Sequence, residues 1–149
     1  MDNNINNQNL FVGSYIHTID EKKRFIFPSC WRNLDLFNKM YVFPNPELPC
    51  LNIYFPDEIN RRLNYLRTEI VDKDEANAIR SITSSADLIS WDSQGRIRIS
   101  DHLLRHLEIK NQLVFVGVMS RIEVWSVEKF DSSIPTLSEK AEKIFFSGY

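Results

Sequence analysis

The sequence predicts a β-rich α+β fold assembled from two copies of one unit, and three observations carry that reading. The turn Ile19-Asp20-Glu21-Lys22-Lys23-Arg24-Phe25-Ile26 returns about 72 positions later as Trp91-Asp92-Ser93-Gln94-Gly95-Arg96-Ile97-Arg98-Ile99, and a fixed internal period marks a repeated structural unit. The same order of events follows each turn: a strand, a short helix, a hydrophobic strand, a loop, and a strand ending in an aromatic residue. The spacing of matched segments drifts only between roughly 71 and 73 positions, the amount that one change of loop length produces.

Each element has a local reason. Residues 11–19 are rich in aromatic and β-branched side chains and predict a strand leading into the first turn, with residues 85–91 as the counterpart. In the first copy the expected elements are the strand Phe25-Ile26-Phe27, a helix over 28–36, and the strands Met40-Tyr41-Val42-Phe43 and Leu51-Asn52-Ile53-Tyr54. In the second they are Ile97-Arg98-Ile99, a helix over 100–107, Leu113-Val114-Phe115-Val116 and Ile122-Glu123-Val124-Trp125. Between the copies Pro56-Asp57-Glu58 opens a helix, because proline suits the first turn and acidic residues favour the positive end of the helix dipole. Ile59, Leu63, Leu66 and Ile70 share one of its faces, and Arg61, Asn64, Arg67 and Thr68 the other. A second helix is expected over 74–82. Near the C-terminus Val127-Glu128-Lys129-Phe130 repeats the Pro56 pattern, and Thr136-Leu137-Ser138-Glu139 has the form of a capping box before a helix over 140–146. Residues 1–10, with Asn at five of ten positions, have no periodicity and read as a mobile tail. The expected organisation is therefore a tail over 1–10, a first repeat with its helical linker over 11–82, and a second repeat with a C-terminal helix over 83–149. The 149 residues suit two halves packed intimately as one unit better than two independent domains.

Composition bounds the function. Apolar residues at 43%, aromatics at 12% and charged residues at 26% describe a folded chain that stays in water. No apolar run approaches the roughly 20 residues that cross a bilayer, and residues 1–10 lack the basic and apolar regions of a signal peptide, so the cytoplasm is the expected compartment. Cys30 and Cys50 form no C-x-x-C pair and both read as packing residues. A net charge of −2 and a pI near 5.9 do not advertise a nucleic-acid binder. If DNA is the partner, positive charge has to be concentrated on one face and multiplied by oligomerisation.

The two Asp-x-x-x-Arg turns are the leading candidate site. A bland account exists: Asp20 and Asp92 can accept bonds from turn amides, Gly95 can take a positive φ, and each arginine is then a solvated residue at a strand start. Duplication shifts the balance, because two equivalent basic turns would project from corresponding edges of one body. Aspartate can restrain the arginine fork through a charge-assisted bond while leaving other donors free, and guanidinium reads guanine O6 and N7 with two bonds. Lys22, Lys23 and Arg98 add charges suited to phosphates, which position without specifying.

Other chemistries fare worse. His102 and His106 have the i,i+4 spacing of some metal sites, yet there is no H-E-x-x-H and no third ligand set nearby, so ordinary histidines are favoured and no metal or other cofactor is expected. His17 is matched by Ile89 in the second copy and receives no role. The chain has no G-x-S-x-G, P-loop or G-x-G-x-x-G, and an enzyme is a poor reading. Tyr54, Trp125 and Trp31 are better explained by core packing than by base stacking.

With these turns in duplicated β-rich halves, the sequence resembles the bacterial MraZ family, relatives of the AbrB and MazE swapped-hairpin DNA binders. The matching segments run from Gly13-Ser14-Tyr15-Ile16-His17-Thr18-Ile19-Asp20 through Arg24 with Pro28, then Asp92-Ser93-Gln94-Gly95-Arg96-Ile97, and Val116-Gly117-Val118 with Ser120-Arg121-Ile122-Glu123-Val124-Trp125-Ser126. The resemblance implies a double-split β-barrel of two β-α-β-type units, assembled into a ring in the cytoplasm or on the nucleoid. It also implies a transcriptional regulator of the division and cell-wall gene cluster that binds G-rich direct repeats in double-stranded DNA, including those of its own promoter. By match to the motif, Asp20, Arg24, Asp92 and Arg96 inherit the DNA-contact role.

Three departures accompany it. Lys23 stands where the family usually has glycine, so family geometry and this sequence conflict at the first hairpin. Ser100 replaces the proline that normally opens the second short helix, and as an N-cap residue it can start that helix. The Asn-rich extension over 1–10 is unusual. A ring would let modest contacts at several identical basic turns around its rim combine on tandem repeats. The alternative is an oligomeric interaction or antitoxin-like protein that does not bind DNA, motivated by the acidic pI and the altered first turn.

Overall fold

The computed structural model describes residues 10–32, 38–69, 72–134 and 138–147. The tail over 1–9, residues 33–36 of the expected helix over 28–36, Ile70, and Thr136 of the expected capping box lie outside the described residues. Eight strands and five α-helices follow in order: β1 (Ser14–Thr18), β2 (Arg24–Ile26), β3 (Lys39–Pro44), β4 (Cys50–Tyr54), α1 (Pro56–Glu69), α2 (Lys73–Ser84), β5 (Asp87–Ser90), β6 (Arg96–Arg98), α3 (Asp101–Leu107), β7 (Gln112–Val118), β8 (Arg121–Ser126), α4 (Val127–Ser133) and α5 (Glu139–Phe146), counted among the described residues. The chain is thus β-rich α+β, as its sequence predicts. Among the described residues no helix is long and apolar enough to cross a membrane.

Six strands form one open antiparallel sheet in the order β1-β7-β8-β4-β3-β5, and β2 and β6 form a separate two-stranded antiparallel ribbon. Strands from the two halves of the chain interleave, each half contributing a hairpin and one strand paired with the other half's hairpin. β1 pairs with β7, with Tyr15 opposite Phe115, and β5 pairs with β3, with Ile89 opposite Met40. β4 and β8 meet at the centre with Leu51 opposite Val124. Neither half therefore contains the partners of its own first strand.

The core lies between the sheet and the ribbon. Phe25 and Ile97, cross-strand partners in the ribbon, are both buried and join Phe27, Met40, Leu51, Ile53, Leu113, Phe115, Ile122 and Val124 in one cluster. Trp91 stacks on Phe27 at 5.6 Å with the rings 5° apart, an arrangement that adds to simple area burial. A smaller cluster on the other side of the sheet gathers Cys50, Val114 and Trp125 under Val127 and Phe130. Tyr54, Trp125 and Trp31 are all buried, in line with the packing role read for them.

Several local expectations need correction. β1 starts at Ser14 rather than residue 11, because Gly13 at φ +91 turns the chain and leaves only a bridge from Phe11 to Met119. Cys30 is exposed, unlike buried Cys50, because its segment is a single 3-10 turn over Ser29–Trp31 that turns only Trp31 inward. Burial pushes the Cys50 thiol up to about 12. The C-terminal helix is capped by Ser138, whose hydroxyl accepts from the Ala141 N–H at 3.1 Å. Ser100 occupies the N-cap of α3 but its side chain caps nothing: the hydroxyl is buried and unpaired. Its carbonyl instead accepts from Leu103 and Leu104. α2 begins one residue earlier than expected because Asp72 caps it, accepting from the Glu75 N–H at 2.8 Å. α1 buries no residue fully; Leu63 and Tyr65 stay exposed, with Ile59 and Leu66 half-buried.

Candidate nucleic-acid interface

The two turns are the same object built twice. In the first, the Asp20 N–H donates to the Arg24 carbonyl at 2.9 Å and the Lys23 N–H to the Asp20 carbonyl at 3.0 Å; in the second, Asp92 to Arg96 and Gly95 to Asp92 are both 2.9 Å. One carboxylate oxygen of Asp20 accepts from the Lys22 and Arg24 N–H groups, as that of Asp92 does from Gln94 and Arg96. The other oxygen takes Nε of the arginine four residues on, at 2.8 Å for Arg24 and 2.7 Å for Arg96. The conflict posed by Lys23 resolves in favour of the geometry. Lys23 adopts φ +60 and Gly95 φ +79, and the four-residue bond pattern tolerates the lysine because the remaining bonds over-determine it.

Each carboxylate is held below its ordinary range. At Asp92 the bond from the Arg96 N–H is the main cause, with the guanidinium and the Gln94 N–H assisting against desolvation. At Asp20 desolvation pushes the other way, but the N–H and guanidinium of Arg24 and the Lys22 N–H outweigh it. Both stay ionised at neutral pH and keep each arginine fixed through one nitrogen.

The ribbon decides where the guanidiniums go. In its register Arg24 lies opposite Arg98 and Ile26 opposite Arg96, while Phe25 and Ile97 face the core. Side chains alternate along a strand, so Arg24, Ile26, Arg96 and Arg98 share the outward face. The turns themselves lie at opposite ends of the ribbon, but their arginines converge on one surface. Arg24 and Arg96 are each 26% exposed rather than lifted clear, each Nε being tied back to its own aspartate. Arg98 is exposed, and its side chain has no ion-pair partner among the described residues. Like charges directly opposite on a ribbon repel, and the two aspartates offset part of that cost. Lys22 is exposed at the first tip, and Lys23 Nζ lies 3.6 Å from Asp101 Oδ1. All seven residues singled out from sequence, Asp20, Lys22, Lys23, Arg24, Asp92, Arg96 and Arg98, thus lie in or at the ends of this ribbon.

The histidines have other engagements. His102 Nε2 lies 3.2 Å from the Ser85 carbonyl, and His106 Nε2 lies 3.1 Å from that of Asn45 and 3.3 Å from that of Leu48, so the two rings tie α3 to different loops. His17 packs edge-on against Phe115, and burial lowers its pKa. Sequence reading passed over Arg32, which lies beside Gly95; the repeat places Leu104 at the matching position, so the period itself argued against it.

A protein named "Transcriptional regulator MraZ" from Clostridium tetani is 34% identical over 125 residues, covering 82% of this chain and 85% of that protein. The chain belongs to the MraZ family. A MraZ regulator from Caldanaerobacter subterraneus subsp. tengcongensis is 32% identical over 136 residues, 91% of this chain and 94% of its own, and one from Lachnoclostridium phytofermentans is 34% identical over 124 residues. The family model described as "MraZ protein, putative antitoxin-like" matches residues 82–144. That span contains the turn with Gly95 and not the turn with Lys23.

Proposed function

We propose that this chain is a sequence-specific DNA-binding transcriptional regulator whose contact surface is the outward face of the β2–β6 ribbon. The observation that carries the reading is the pair of matched aspartate clamps, which hold Arg24 and Arg96 by Nε alone on one surface with Arg98. Their Nη groups have no partner among the described residues, which is the arrangement required to donate to a base edge or a phosphate. The names of the relatives as transcriptional regulators support the same reading.

In this reading the sheet and the ribbon together are the double-split, swapped-hairpin β-barrel of two repeats, 11–82 and 83–149, and subunits assemble as a ring. The exposed apolar residues Leu63 and Tyr65 on α1, and Ile144, Phe145 and Phe146 on α5, support self-association. A ring compensates for the net charge of −2 per chain by repeating the arginine face along tandem sites. The targets are G-rich direct repeats upstream of the division and cell-wall gene cluster, the protein's own promoter included, and the working compartment is the cytoplasm and nucleoid.

Gel-shift titration of the upstream fragment against the Arg24→Ala/Arg96→Ala double variant tests the site. Binding falls to the level of an unrelated duplex if the turns read DNA; undiminished binding removes them from the role. The words "antitoxin-like" in the family description and the acidic charge favour a second reading, an oligomeric interaction protein. An intact oligomer with no preference for any promoter fragment would decide for it.

A further inference from the structure

The second turn receives a cation from outside itself. Gly95 is buried in the Asp92–Arg96 turn, and a β-carbon there would overlap Nη1 and Cζ of Arg32, with Nε only 3.1 Å away. The Arg32 guanidinium is therefore seated directly on the glycine. Its Nε is buried with no hydrogen-bond partner, and its side chain makes no ion pair among the described residues. The residue as a whole is half-buried, so its guanidinium has lost solvent at Nε without gaining an acceptor and can recover that cost by meeting an anion with its remaining donors.

The first turn solves the same problem differently. Position 23 corresponds to position 95, and there the cation is Lys23 itself, rising from a left-handed backbone. The residue matching Arg32 is Leu104, which lines the same surface concavity as the Lys23 stem and Asp101. Lysine in the turn with leucine on the flanking helix thus replaces glycine in the turn with arginine on the flanking helical turn. Each corner ends with one further cation beside its Asp-x-x-x-Arg pair.

We propose that Arg32 is a phosphate-binding residue of the second corner, the counterpart of Lys23 at the first, and that Gly95 is small in order to seat it. This rests on the DNA-binding reading above. Arg32 belongs to a flanking segment and not to the ribbon face, so the ligand chemistry it meets is the phosphodiester backbone, which positions the protein without reading sequence.

The test uses the full chain with two duplexes of equal length, the upstream fragment and a scrambled one. Arg32→Gln keeps the stem and removes the charge. It weakens binding to both duplexes by a similar factor, about tenfold, and makes the dependence of log affinity on log salt shallower by about one. Arg32→Lys retains most of the affinity. Adding Gly95→Lys to Arg32→Gln rebuilds the first corner's arrangement at the second and recovers both affinity and slope. Thermal unfolding and light scattering on each variant separate these effects from loss of fold. Unchanged affinity and slope in Arg32→Gln, where Arg24→Ala/Arg96→Ala abolishes binding, overturns the role while leaving the DNA reading intact. A fall confined to the upstream fragment assigns Arg32 to base reading and overturns it as well, as does failure of Gly95→Lys to rescue. A parent protein that binds neither duplex sinks the DNA reading itself.

Discussion

Asp20 and Asp92 do more than close turns. Each carboxylate spends one oxygen on two backbone N–H groups and the other on a guanidinium, so the charge that aims the arginine also folds the loop that carries it. Because both carboxyls are held below their ordinary range when folded, they contribute stability that is present above the unfolded value near 4 and lost as pH falls through the lowered folded values. Carboxylate-detected NMR titration should therefore place both midpoints under that of a free aspartate, and Arg96→Gln should move Asp92 upward while leaving Asp20 in place. Equal midpoints in parent and variant would show that the clamp has no electrostatic content. The motif was legible in sequence because its spacing is local, four residues from carboxylate to guanidinium. Arg32 was not, because its meeting with Gly95 spans the fold and the repeat offers a leucine in its place. The exposed Cys30 was misjudged for a similar reason: a 3-10 turn of three residues can bury only one side, and Trp31 takes it.

β7 illustrates how strands carry the same logic. Leu113 and Phe115 feed the main core and Val114 the smaller cluster beneath α4, so the strand is buried on both faces and reads as a continuous apolar run. Gly117 farther along it lets the N-terminal lead-in cross: a β-carbon there would lie 2.5 Å from the Phe11 carbonyl carbon and the Val12 nitrogen. Gly117→Ala should accordingly push that segment off the strand and cost about 1–3 kcal/mol in chemical denaturation, with new amide exchange at Phe11 and Met119. In the ribbon, Ile97→Ala removes a fully buried branch opposite Phe25 and should cost roughly 2–5 kcal/mol by the same measurement. Strand existence and order were readable from alternation and aromatic endings. Boundaries moved by one to three residues, where bridges, caps and a glycine outside the local pattern intervened.

The exchange of strands between the halves sets how the chain folds. β1 finds its partner in β7 and β5 in β3, so a fragment ending at residue 84 has a β1 without its neighbour and a Phe25 facing no Ile97. Such a fragment should show no cooperative unfolding by circular dichroism, and mixing it with residues 85–149 should restore the transition. Independent cooperative melting of either piece would contradict the interdependence. The long-range pairing also implies slower folding than a helical bundle of this size, since distant loops must close before their contacts are made.

Periodicity, alternation and a local carboxylate-to-arginine spacing are properties of neighbouring residues, and they were enough to establish the class of fold, the doubling of the turn and the family. The convergence of Arg24, Arg96 and Arg98 on one face, the seating of Arg32 over Gly95 and the interleaving of strands from the two halves depend on how segments far apart in the chain pair and pack. Register is set by which apolar faces share a core, and that is settled only when the whole chain packs.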